Sequence, residues 1–230
     1  MKENQRFILF RPFVLSLAIL PLGIAAALTF AGSSSSSPSL PDPAVNPPTS
    51  GAQRQTAVLA GGCFWGMEAV FEHLKGVSEV VTGFSGGSAA TANYEMVSAG
   101  DTEHAEAVQI TYDPSQISYA QLLKVYFSVA HDPTQLNRQG PDQGPAYRSA
   151  IFFANDEQRQ VAQAYVAQLN KAQVFRSPVV TQLAPLNGFY AAEPYHQNFV
   201  ARNPNNPYVI VHDRPQLKQL KQQFPDLHKP

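Results

Sequence analysis

A single cysteine, Cys63, and a single tryptophan, Trp65, are all the chain has of either residue, and that scarcity sets the first limits. One cysteine cannot form an intramolecular disulfide, so packing must supply stability, and a paired-cysteine zinc site is ruled out. Charge is scarce too: 16 basic and 17 acidic residues leave a net charge of −1, with no basic stripe to attract a nucleic acid. Neither a phosphate-binding loop nor a dinucleotide fingerprint occurs, so the common nucleotide-dependent classes drop out.

One stretch lacks charge altogether. Pro12 to Ala31 carries no charged residue and follows Lys2, Arg6 and Arg11. A basic end before an apolar run of about twenty residues predicts a signal peptide or an uncleaved membrane anchor over 1–31. Either would carry the remainder across a membrane, into the periplasm or an equivalent lumen. Next comes a change of composition: residues 32–55 hold five consecutive serines and five prolines and predict a disordered, extended linker. The remaining residues, 56–230, suit one domain with a sizeable core.

The cysteine and the tryptophan stand two residues apart in Thr56-Ala-Val-Leu-Ala-Gly-Gly-Cys-Phe-Trp-Gly-Met67. Thr56 to Ala60 reads as a buried strand stopped by two glycines. Phe64, Met67, Val70, Phe71 and Leu74 then fall on one helical face, with Gly76 placed to end the helix. Cys63 is therefore expected in the first turn, where free backbone N–H groups and the helix dipole favour a thiolate. Trp65 lies off the apolar stripe and is left to wall a pocket. The alternative is that Cys63 is a small buried hydrophobe.

Further along, Val77 to Phe84 reads as a strand, 89–100 as loop, and Glu103 to Tyr112 as an alternating strand that puts Glu106 on the apolar side with Val108 and Ile110. A carboxyl among apolar side chains can stay protonated near neutrality and serve as a general acid, unless it sits at the strand end and meets solvent. Ser118 to Ala130 reads as a capped helix. His131 to Arg148 is a long polar loop of the kind that carries function, with Asp142 and Tyr147 its polar candidates against an ordinary turn role. A strand over 149–154, a helix over 156–172, a strand over 179–184 and a short basic helix over 217–224 complete the chain. This order predicts an α+β two-layer sandwich with a mixed, mostly antiparallel sheet, a ferredoxin-like core and long functional loops.

Six motifs, in order and at matching spacing, resemble the peptide methionine sulfoxide reductase A family. They are Gly62-Cys-Phe-Trp-Gly66, Tyr94, Gly100-Asp-Thr-Glu-His-Ala-Glu-Ala-Val108, His131-Asp-Pro-Thr-Gln135, Gly140-Pro-Asp-Gln-Gly144 with Tyr147-Arg-Ser149, and Ala192-Glu-Pro-Tyr-His-Gln197. The resemblance implies that Cys63 attacks the sulfur of the S epimer of methionine sulfoxide, free or in oxidised proteins. Phe64 and Trp65 would hold the methyl group, Glu106 would donate the proton, Tyr94 and Tyr147 would hydrogen-bond the oxygen, and Asp142 would complete the polar network. No metal and no organic cofactor is implied. The chain departs from many relatives in having no second cysteine to resolve the sulfenic acid, and Ser98 stands where some of them carry one. An external thiol is expected instead: thioredoxin, glutaredoxin or glutathione. A monomer is expected.

Two other readings stay open at this stage. A cysteine hydrolase would pair Cys63 with His104, His131 or His196. A non-catalytic module would bind oxidised methionine through Trp65.

Overall fold

β1 (Gln55–Ala60) is the strand that feeds the cysteine, and its alternation divides two apolar clusters. Ala57 and Leu59 point into the main core, while Val58 and Ala60 point into a smaller one on the opposite sheet face. Such a strand must be central, and it is: β3 (Ala105–Tyr112) and β6 (Ala150–Phe153) pair with it on either side, both antiparallel. This computed structural model describes residues 39–47 and 53–229. The signal peptide or anchor expected over 1–31 and the rest of the expected linker lie outside the described residues. Among the described residues no helix is long and apolar enough to cross a membrane.

Helix α1 (Phe64–Glu72) crosses the sheet and leads into β2 (Val77–Ser85), which pairs antiparallel with β3. The four strands β6-β1-β3-β2 thus have the ferredoxin-like order expected, extended by parallel β7 (Gln182–Pro185) beyond β6 and antiparallel β8 (Phe189–Ala191) beyond β2. The fold is α+β with a mixed, mostly antiparallel sheet. Phe64, Met67, Val70, Phe71 and Leu74 all bury themselves against Leu59, Val108, Ile110 and Tyr112, as their spacing requires. Helix α3 (Tyr119–Val125) begins in a complete capping box, with Ser118 and Gln121 exchanging side-chain and backbone bonds, and winds on as a π-turn to Ala130. Its Leu122, Val125, Tyr126 and Val129 are buried.

Five local expectations are corrected. Residues 94–99 are not loop but helix α2 (Tyr94–Ala99), capped by the Asn93 side chain and closed by Gly100 at φ +84°. Helix α1 stops at Glu72 rather than at Gly76, which instead turns the chain into β2 at φ +86°. The strand expected over 179–184 is displaced to 182–185, and the loop 131–148 carries a small hairpin, β4 (Arg138–Gln139) with β5 (Asp142–Gln143), plus a 3-10 turn at Pro145–Tyr147. The basic tail helix starts earlier than expected, as α6 (Arg214–Gln223), after the short α5 (Phe199–Arg202).

Residues 39–47, inside the span expected to be a free linker, are held on the domain. Leu40 is buried in the main core beside α4 (Asp156–Lys171), Tyr165 donates its hydroxyl to the Pro41 carbonyl, and Gln168 bonds Asp42 and Ala44. An apolar leucine and satisfied backbone groups anchor what serine and proline alone would leave free.

Candidate active site

The register between β1 and β3 puts Cys63 and Glu106 together. Leu59 pairs with Val108, so β3 runs on past β1's end and Glu106 lies beside the point where Gly61-Gly62-Cys63 leaves the sheet. Glu106 is 3% exposed, which decides between the two readings of its strand position in favour of burial. The turn itself needs glycine: Gly62 adopts φ +95°, and a Cβ there would come within 2.6 Å of the Gln139 side chain.

Cys63 stands at the cap position of α1, half-buried, one residue before the first turn. The Phe64 N–H, which could have stabilised a thiolate, donates instead to Glu106 Oε2 at 3.0 Å. Desolvation and the negative charge of Glu106 push the Cys63 thiol well above its ordinary value, against a smaller lowering by the Trp65 backbone N–H. This corrects the expected thiolate: the resting group is the thiol, because burial and the Glu106 charge outweigh the one helix N–H, that of Trp65, which bonds the sulfur. Burial likewise raises Glu106 to about 8, so it carries its proton at neutral pH despite the Phe64 N–H, which favours the charged form.

Three contacts fix the indole of Trp65. Its Nε1–H donates to His196 Nδ1 at 3.1 Å, Phe199 stacks on it at 3.6 Å, and Tyr208 meets it edge-on at 5.9 Å. Phe64 is fully buried, with the His196 ring 5.0 Å away. Tyr94, the first residue of α2, places its ring 4.3 Å from His196, and its N–H is held by Glu193. Tyr147 ends the 3-10 turn after β5. Burial raises both phenols, and the charges of Glu106, Asp142 and Cys63 raise each further, so the five groups share one electrostatic neighbourhood. Asp142, on β5, accepts the Tyr208 hydroxyl.

Two of the three histidines named as possible hydrolase bases are engaged at both ring nitrogens, and the third, His196, is engaged among the described residues at Nδ1 only. His104 bonds Gly87 N–H and the Ser88 carbonyl, and His131 bonds the Tyr126 carbonyl and Ser149. His196 receives the Trp65 indole N–H. Among the described residues none bonds Cys63, and burial lowers His131 to about 4. Phe199, Tyr208, Asp213 and Gln216 also surround the cysteine turn, and no local pattern marks them, since they arrive from 136 or more residues downstream.

The family model for peptide methionine sulfoxide reductase matches residues 55–228. The chain belongs to the peptide methionine sulfoxide reductase family. It is 56% identical over 190 residues to peptide methionine sulfoxide reductase MsrA 2 of Synechocystis sp., covering 81% of this chain and 89% of that protein. Over 174 residues it is 55% identical to MsrA 2 of Mesorhizobium japonicum, covering 76% and 89% respectively. Among solved structures, reduced Mxr1 of Saccharomyces cerevisiae superposes with a TM-score of 0.61 at 32% identity, covering 67% of this chain and 88% of Mxr1. Methionine sulfoxide reductase A of Corynebacterium diphtheriae does so at 0.57 and 34%, covering 66% and 76%. This member of the family is an oxidoreductase that reduces methionine sulfoxide in a thiol-dependent repair reaction, and the hydrolase and binding-module readings are not favoured.

Proposed function

We propose that Cys63 is the nucleophile for the S epimer of methionine sulfoxide and Glu106 its proton donor. The Cys63 sulfur attacks the sulfoxide sulfur while Glu106 gives its proton to the sulfoxide oxygen, and the thiol proton returns to Glu106. Oxygen passes to Cys63, so that thiol and sulfoxide become sulfenic acid and thioether. Phe64 and Trp65 form the apolar wall for the methyl group, Tyr94 and Tyr147 bind the oxygen, and Asp142 orients Tyr208 at the edge of the site. The observation that carries this reading is the Phe64 N–H to Glu106 bond, which holds a protonated carboxyl at the base of the cysteine turn.

With one cysteine in the chain, the sulfenic acid must be resolved by an external thiol, from thioredoxin, glutaredoxin or glutathione. The basic and apolar amino terminus supports export across a membrane, by a cleaved signal or a retained anchor, with the enzyme acting as a monomer on oxidised proteins there. One experiment tests the chemistry. The reduced protein is given free methionine S-sulfoxide without reductant, trapped with a sulfenic-acid reagent and weighed. One methionine per chain and one adduct on Cys63 are expected; an unmodified Cys63 after turnover overturns the proposal.

A further inference from the structure

Cys63 lines a cleft of about 100 Å³ together with Gly61, Gln139, Tyr208, His212, Asp213 and Gln216. Glu106, Tyr94, Tyr147 and Trp65 do not line it. Asp213 is 2% exposed and its Oδ2 has no hydrogen-bond partner among the described residues; the same holds for Gln216 Oε1. Two buried, unanswered acceptor oxygens are costly unless a donor visits them. Asp213 ends a π-turn (Val209–Asp213) that runs directly into α6, so its backbone is helical and its side chain is not needed as a cap. The Asp213 and Gln216 side chains both pack on Gly66 of α1: a Cβ there would lie 2.6 Å from Asp213 Oδ1, the other carboxyl oxygen, and 2.6 Å from Gln216 Oε1.

We propose that this cleft admits the reducing thiol to the Cys63 sulfenic acid, and that Asp213 accepts the proton of that thiol. The inference rests on the proposed sulfenic acid chemistry. The thiol R–SH gives its proton to the Asp213 carboxylate, and the resulting thiolate attacks Cys63 Sγ. The S–S bond forms as the S–O bond breaks, and the departing hydroxide takes the proton from Asp213 and leaves as water. Sulfenic acid and thiol thus become mixed disulfide and water. A second thiol of the reductant attacks the R-side sulfur and releases Cys63, which regains its proton while the reductant is oxidised to a disulfide. Burial and the charge of Asp142 raise Asp213 to about 7, a value suited to taking and returning a proton at neutral pH. The groups facing it are Asp142, Cys63, Tyr208 and His212, and the separation of this cleft from Glu106 lets the two half-reactions use different acids.

The test separates the two halves of the cycle. Wild type and Asp213→Asn are first given methionine S-sulfoxide without thiol, and the methionine burst is counted. Glutathione or a thioredoxin-type dithiol protein is then added, and loss of the sulfenic acid is followed by trapping and mass. Asp213→Asn is expected to keep a burst of one methionine per chain and to lose its sulfenic acid about tenfold more slowly or worse. It should also lose a limb near pH 7 that wild type shows. Slowing with both thiols or with one alone supports the cleft and identifies which source uses it. Re-reduction at the wild-type rate overturns the inference, whereas absence of the burst in wild type overturns the proposed function. Should Asp213→Asn not fold, His212→Trp, which narrows the cleft, must slow re-reduction severalfold, and an unchanged rate is equally fatal.

Discussion

Replacing Glu106 by glutamine removes one proton and little else. The amide still offers an oxygen to the Phe64 N–H, and it fills the same space among Phe84, Val108 and the cysteine turn. What it loses is the ability to protonate the departing oxygen, a role worth 10²- to 10⁴-fold, or about 3–5 kcal/mol of barrier. Single-turnover methionine formation in Glu106→Gln is therefore expected to fall by at least about 10²-fold at pH 7.

The same carboxyl makes a pH prediction whose sign can be worked out. Its folded value, about 8, lies above its ordinary 4.5, so the folded protein binds this proton more tightly than the unfolded chain. The protein then loses stability as pH rises from about 4.5 through about 8, by up to roughly 5 kcal/mol once the carboxyl is ionised. Wild type should show a larger drop in unfolding midpoint between pH 6 and pH 9 than Glu106→Gln, and its single-turnover rate should decline along a limb near 8 that the variant lacks. Denaturant titration and rapid-quench assays read the two effects independently. Activity in Glu106→Gln within threefold of wild type, or a wild-type rate flat to pH 9, refutes the assignment of Glu106 as the acid.

Trp65→Ala removes the apolar wall and should lower kcat/KM by about 10- to 100-fold, mainly through KM, in assays with free methionine sulfoxide; unchanged KM would place the methyl group elsewhere. Tyr94→Phe and Tyr147→Phe each delete a donor to an oxygen gaining charge, so each should cost about 1.5–3 kcal/mol in kcat with little change in KM. Equal losses in KM would make them packing residues. Leu40→Ala, in the segment laid against α4, should lower the unfolding free energy by about 2 kcal/mol without altering single-turnover activity, and an unchanged denaturant midpoint would show that the segment adds nothing to stability.

Periodicity explains why much of this site could be read without coordinates. The interval from Phe64 to Phe71 repeats at helical spacing over a double-glycine turn, and the period of two along β3 places Glu106 with Val108 and Ile110; both are local patterns that burial then enforces. Helix α2 escaped because six residues are too few for a periodic signal, although Asn93 and Gly100 marked its two ends. β8 is three residues long and exists through pairing with β2. Tyr208 and Asp213 lie ahead of the helix expected over 217–224, in a stretch that no periodic or motif signal marks; only the tertiary return of the tail onto α1 reveals that the Asp213 carboxyl faces Gly66 and shares a cleft with Cys63.

The one chemical expectation that failed also explains how the site works. A cysteine before a helix is read as a thiolate because the N-terminal N–H groups are assumed to be free. Here the protein assigns the Phe64 N–H to Glu106, and the two acids then oppose each other's ionisation: a charged Glu106 raises Cys63, and burial raises both. The resting pair of Cys63 and Glu106 holds two protons and no net charge. Sulfur can become an effective nucleophile only as a proton leaves the pair, and the acceptor that makes this favourable is the sulfoxide oxygen itself. Reactivity is thereby tied to the presence of substrate. A thiol-directed alkylating reagent should consequently modify Cys63 slowly at pH 7 in wild type, and faster in Glu106→Gln at pH 9, where the opposing charge is gone. Rapid alkylation of wild type at pH 7, at the rate of a free thiolate, would show that the helix N–H groups outweigh burial and the Glu106 charge at the sulfur.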